Sequence, residues 1–201
     1  MPVNGETRHR RTQAERSAAT RGALLHSARR LFAEQGYAGT GREEIVQAAG
    51  VTRGALYHHF ANKEALFRAV YEELEGETVA RVVDAAATSA DPMEQLRLGA
   101  HAYLDAALDP AVRRVVLIDG PAVLGWEVQR EISEAYGLGL VWEALRAAME
   151  AGLIDEQPVE PLAHVLLAGL HEGALFMARA KNKAKARREV GTVVERLIDG
   201  L

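Results

Sequence analysis

The chain has 201 residues, 48% hydrophobic and 26% charged, enough for one or two small domains with a real core and too apolar for a disordered tail. It has no cysteine, which excludes a disulfide framework, a thiol nucleophile, a thiolate zinc site and a cysteine redox sensor. No apolar run approaches the ~18 residues that cross a bilayer, and the polar, Arg-rich start lacks a signal-peptide core, so a cytoplasmic protein with no membrane partner is expected. The formal net charge of −4 hides an asymmetry: residues 1–68 hold 11 Lys+Arg against 6 Asp+Glu, and residues 69–201 hold 13 against 22. A basic segment on an acidic protein marks an end that faces a polyanion.

Residues 1–19 carry Arg8, Arg10, Arg11 and Arg16 without apolar periodicity and read as a mobile basic arm. From Thr20, Leu24, Ala28, Leu31 and Gln35 mark one face of a first helix, widened by Leu25 and Phe32 and stopped at Gly36. Glu43 to Ala49 predicts a short second helix ended by Gly50, with Val51 plugging the turn. Thr52 can cap a third helix to about His59, in which Leu56, His59 and Phe60 face inward while Arg53, Gly54, Tyr57 and His58 face out. Asn62 caps a fourth, with Leu66, Val70 and Leu74 inward.

The remainder is also helical by pattern. Asp91-Pro92-Met93-Glu94 combines an N-cap, a proline in the first turn and an acid at N3. Asp109-Pro110 repeats the device, Gly120-Pro121 interrupts the next segment, and Gly137-Leu138-Gly139 precedes a helix through Trp142 and Met149 that stops at Gly152. Pro158 and Pro161 open a long apolar helix ending near Lys181, and Val190, Val193, Val194, Leu197 and Ile198 stripe the last one. The cluster Lys181, Lys183, Lys185, Arg187 and Arg188 reads as a solvated loop between them. No stretch alternates with period two, so the expected fold is all-α.

Two short helices joined by a glycine-bearing turn fit a helix-turn-helix, whose second helix enters a DNA major groove about 12 Å wide. Residues 34–72, with AAGVTRGALYHHF and NKEALF inside them and LFAEQGY beginning at Leu31, resemble the DNA-binding domain of the TetR family of transcriptional repressors. The resemblance covers about 50 residues; beyond it the chain is similar to the family only in being helical. It implies a helix-turn-helix domain over 20–67 and a helical ligand-binding and dimerisation domain over 68–201. Val46 stands where the family usually has alanine, and Arg42 where it often has an apolar residue.

Each outward residue has a physical role to offer. Arg53 can present its planar fork to a guanine edge. Gly54 allows close backbone approach, or is merely a tolerated glycine. Tyr57 and His58 can reach phosphate oxygens, and Thr52 can bond a phosphate while capping; the resemblance assigns these positions to DNA. Arg42 is a candidate groove or phosphate contact. Lys63 either presents its charge and a helix N-terminus to an anion or is an ordinary solvated lysine.

No catalytic or metal site is expected, and no cofactor. His164 and His171 lie i,i+7, about 10.5 Å apart along a helix, too far to share one ion. Adjacent His58 and His59 diverge by about 100°. The glycines between Gly36 and Gly41 lack the preceding strand a dinucleotide loop needs, and no Ser-His-Asp motif is present.

The family implies a small effector in a cavity of the middle helices and a homodimer built by the last two. Glycines four apart, Gly169 and Gly173, permit close helix contact. Polar or aromatic residues set among apolar ones are the effector candidates: His101, Tyr103, Trp126, Trp142, Met149, His171 and Phe176, each also a plausible core residue, pointing to a largely hydrophobic or aromatic ligand. Asp119, Arg130 and Glu172 are alternatively ligand partners or surface groups. The expected function is a sequence-specific regulator released from a palindromic operator by such an effector. An architectural DNA binder without an effector, or a helical enzyme with converging titratable groups, are the other classes.

Overall fold

The computed structural model of the protein describes residues 12–201 and is helical throughout, with no strand among them. Helix α1 (Gln13–Gly39) starts before Thr20, so the expected arm is helical from Gln13 onward. The reason is a capping box: Thr12 Oγ1 accepts the Glu15 N–H at 3.2 Å while Glu15 Oε2 accepts the Thr12 N–H at 2.8 Å. The first turns of this helix are solvated almost all round, which is why no apolar period announced them. Arg8, Arg10 and Arg11 lie outside the described residues. Near its end the helix is broken at Gly36, whose φ of 76° favours glycine.

Helices α2 (Arg42–Ala49) and α3 (Arg53–His59) are joined by Gly50 in the left-handed region and by Val51. Ile45 from α2, Leu56 from α3, and Leu24, Ala28 and Phe32 from α1 close one small core with Leu66 and Phe67 of α4 (Lys63–Ala86). Each large side chain buried there contributes about 1.5–3 kcal/mol. Helix α4 runs straight through the expected boundary at residue 67, so both halves of the chain are built on one rod.

Helix α5 (Pro92–Ala106) packs along α4, and Asp91 caps it as expected, accepting from the N–H groups of Met93 and Glu94. After it a π-helical stretch, Val112–Asp119, leads into α6 (Gly120–Ser133) without a stop. Gly120-Pro121 therefore does not interrupt the chain. Where hydrogen bonding changes register from π to α, a donor loses its acceptor, and a proline with no N–H fits there. The break comes instead at Gly125, with φ 78°. A second π turn, Glu134–Leu138, feeds α7 (Gly139–Glu150).

Helices α8 (Val159–Arg179) and α9 (Lys183–Asp199) finish the fold. Residues 183–188 form the first turns of α9 rather than a loop, because Asn182 accepts the Lys185 N–H at 2.9 Å and caps it. Helix α8 has 21 residues, with an 18-residue window of mean hydropathy 1.3, and is long and apolar enough by composition to cross a membrane, although Glu160, His164, His171 and Glu172 punctuate it so that no uninterrupted apolar run shows in the sequence.

Candidate nucleic-acid interface

Helix α3 is held from beneath by Leu56 and capped by Thr52, whose hydroxyl accepts the Ala55 N–H at 3.2 Å. Its outer face is open. The Arg42 and Arg53 guanidinium groups both lie 5.7 Å from the Tyr57 ring, one from each side of the turn, so α2 and α3 together present an aromatic flanked by two cations. Glu43 approaches Arg53 at 3.8 Å, an exposed pair that water and salt screen and that an incoming phosphate or guanine can replace. A Cβ built on Gly54 meets nothing closer than Thr52 Oγ1 at 3.9 Å, so no neighbour in the protein requires glycine there. His58 is exposed beside these groups. The substitution of Val46 for the usual alanine is absorbed: it is half-buried and packs against the core.

Lys63 is tied to the end of α1 rather than left as a solvated lysine. Its Nζ donates to the carbonyls of Tyr37 at 2.8 Å and Thr40 at 3.0 Å and stands 4.1 Å from the Tyr37 ring centroid. It thereby caps the C-terminal end of α1 with positive charge, and partial burial lowers its pKa. The same Tyr37 is gripped from the other domain: Asp119 Oδ2 accepts the Tyr37 N–H at 2.7 Å and the Arg114 Nε–H at 3.2 Å. A Cβ on Gly36 would collide with the Arg114 guanidinium, so the glycine serves both the turn and this close approach. Asp119 thus binds the end of the π-helical stretch to the DNA-facing helices rather than standing free for a ligand. Arg130 is paired with Glu134 at 2.6 Å, and Glu172 is exposed.

The seven effector candidates do not converge. The Tyr103 hydroxyl lies 3.2 Å from His171 Nδ1 inside the domain. His101 instead sits in the α5–α9 seam, 2.8 Å from Glu195 and 2.9 Å from Arg187. Trp126 is 70% exposed on α6 and Phe176 55% exposed on α8. Trp142 and Met149 pack half-buried on α7, with Arg146 5.1 Å above the Trp142 ring. Three residues that the sequence pattern does not single out lie in this region: Tyr71 and Glu75 of α4 near Tyr103, and Gln129 of α6 against Tyr71. Burial pushes the Glu75 carboxyl up to about 7 and lowers the His171 imidazole below its usual value. The signal available was that Glu75 falls one turn after Tyr71, on the stripe that continues to Thr78; within the run YEELEGE it looks like any solvated acid. No group of three His, Cys, Asp or Glu residues suited to a metal occurs among the described residues.

A turn-linked helix pair with a cationic outer face, joined through a polar junction to a helical domain, defines a DNA-binding regulator architecture, and comparison with known proteins agrees. Residues 24–70 match the family model for bacterial regulatory proteins of the tetR family, and residues 93–201 match the tetracyclin repressor-like C-terminal domain. The HTH-type transcriptional regulator AcrR of Shigella flexneri is 30% identical over 207 residues, covering 92% of each chain. The Tn10 TetC protein of Escherichia coli is 32% identical over 133 residues, a match that covers 64% of this chain and 65% of TetC. A crystal structure of a TetR-family regulator from Pectobacterium atrosepticum superposes with a TM-score of 0.84 at 32% identity, covering 95% of this chain and 97% of the other. The chain belongs to the TetR family of transcriptional regulators.

Proposed function

We propose that the protein is a homodimeric repressor that holds a palindromic operator through paired α3 helices and releases it when a small, largely apolar effector enters the C-terminal domain. The observation that carries this reading is the open cationic face of Arg42, Arg53 and Tyr57 on a helix pair anchored from beneath by Ile45 and Leu56. In a dimer the two α3 helices would meet successive major grooves about 34–36 Å apart. Support for the dimer comes from α8 and α9, which leave Val165, Phe176, Val193 and Leu197 exposed on the surface. On α8, Gly169 faces open space while Gly173 already lies against Val190 of α9. Acting on DNA, the protein works in the cytoplasm.

Binding to a duplex from the gene's own upstream region, measured by fluorescence anisotropy at fixed salt with and without apolar compounds, tests the reading. Arg53→Ala is expected to lower affinity for the operator about tenfold to a hundredfold and to leave random duplex nearly unaffected. Equal loss on every sequence would reassign Arg53 to the phosphate backbone.

A further inference from the structure

We infer that the basic turn joining α8 to α9 is a second contact for DNA, one that holds phosphates between the two half-sites without reading sequence. This rests on the proposed dimer on an operator and adds a surface to it.

Residues 179–188 carry Arg179, Lys181, Lys183, Lys185, Arg187 and Arg188 and no acid, six of the 13 Lys and Arg in residues 69–201. The rest of the helix pair has the opposite sign: residues 159–178 hold two acids and no Lys or Arg, and residues 189–201 hold three acids and one arginine. Two of the six cations are engaged within the subunit. Arg187 donates to Asp105 at 2.6 Å, and Lys185 lies 3.6 Å from Glu189. Among the described residues no ion pair engages Arg179, Lys181, Lys183 or Arg188, and of these Arg179, Lys181 and Arg188 are exposed.

Local stability does not account for the placement. Lys183 and Lys185 occupy the first turn of α9, which holds no acid, so they face the positive end of the helix dipole. Lys183 and Arg187 are also like charges one turn apart on the same helix face. A polyanion is the partner that turns both costs into attraction.

The turn stands at the end of the domain that faces the DNA-binding helices. Arg187 reaches Asp105 and, at 3.1 Å, the His101 carbonyl, both near the end of α5, whereas Asp199 at the other end of α9 meets Arg97 near the start of α5 at 2.7 Å. The cations therefore lie beside the place where the chain leaves α5 for the π-helical stretch. That stretch packs on α8 and on α1, and its Asp119 holds the Tyr37 N–H. The acidic end of α9 is about 24 Å farther along the helix at 1.5 Å per residue. Phe176, exposed on the proposed dimer face, lies one turn before Arg179, so in the dimer the two basic turns converge on the two-fold axis, between the recognition helices.

The test compares the full-length protein with the triple variant Arg179→Gln, Lys181→Gln, Arg188→Gln and with a control, Arg81→Gln, Arg130→Gln, Arg146→Gln, which removes as many exposed cations from elsewhere on the domain. Binding to the upstream duplex and to a random duplex of equal length is followed by anisotropy from about 50 to 200 mM salt. The first variant is expected to bind both duplexes about tenfold more weakly at the lowest salt, with a plot of log K against log[salt] shallower by about 2 or more, while the control stays near wild type. Its dimer and its melting temperature are expected to hold. An unchanged salt slope overturns the inference, and so does an equal change in the control, which would make net charge the cause. Loss of the dimer would make these cations part of the interface and overturns it as well. Unchanged DNA binding with lost sedimentation on phosphatidylglycerol vesicles would give the turn to a membrane surface instead. If the wild type itself shows no preference for the upstream duplex, the operator reading falls, and the second contact is then decided by the salt slope on random duplex.

Discussion

Replacing Phe176 and Leu197 together by aspartate yields a monomer in sedimentation equilibrium and lowers affinity for a palindromic operator by at least about a hundredfold, while melting temperature changes little. Both side chains are 55% exposed, so neither holds the subunit's own core together, and a carboxylate in water at either place is harmless to the fold. Four large apolar groups left on the last two helices are otherwise hard to explain on a soluble surface. Across a two-fold axis each aspartate would be buried twice without a partner, and such uncompensated charges break an interface. Operator affinity falls because two tethered recognition helices bind with a high effective concentration that a lone one lacks. A variant that stays dimeric would place the interface on another face of the molecule.

The second large effect is expected at the junction. Asp119→Ala removes the acceptor of the Tyr37 N–H at 2.7 Å and the partner of Arg114 at 3.2 Å. Arg114 is 40% exposed and recovers water, so its ion pair contributes little. The Asp119 side chain is only 14% exposed, and the orphaned Tyr37 N–H carries most of the loss, about 2–3 kcal/mol in urea unfolding. Asp119→Asn, which keeps a carbonyl oxygen for that N–H, is expected to lose about half as much. The functional consequence is larger than the energetic one, because this carboxylate ties the π-helical stretch to the end of α1. With the tie cut, an effector that still binds is expected to release operator poorly, read as a separation between ligand affinity and DNA release. An unchanged urea midpoint and unchanged release would show that the domains communicate along α4 instead.

What was legible in the chain was what depends on neighbours in sequence. Thr52, Asn62 and Asp91 each cap the helix expected of them, because a cap needs only a short polar side chain two or three residues before the N–H it accepts. The same chemistry stood at Thr12-Gln13-Ala14-Glu15 and at Asn182, and was passed over because no apolar run followed the first and a row of cations followed the second. Gly120-Pro121 was misjudged for a subtler reason: a proline ends a regular helix, but not one that is changing its hydrogen-bond register. The outward face of α3 was readable from spacing alone, since Leu56 fixes which side is in. The interior cluster was not. Tyr71, Gln129 and Tyr103 come from three helices, and only the crossing of α4 with α5 and α6 brings Gln129 and Tyr103 near Tyr71. Lys63 is expected at the start of α4, whereas Asp119 reads only as a ligand partner or a surface group, and the meeting of the two at Tyr37 depends on the kink at Gly36.

Gly54 shows how selection for holding together and selection for holding a partner diverge. Alanine would fit the empty space around it and favour the helix by up to about 1 kcal/mol, so heat tolerance alone rewards the change. On the proposed reading, the added methyl group would keep the recognition helix away from the duplex. A directed-evolution campaign for thermal robustness would then enrich a methyl group that a screen for silenced transcription discards.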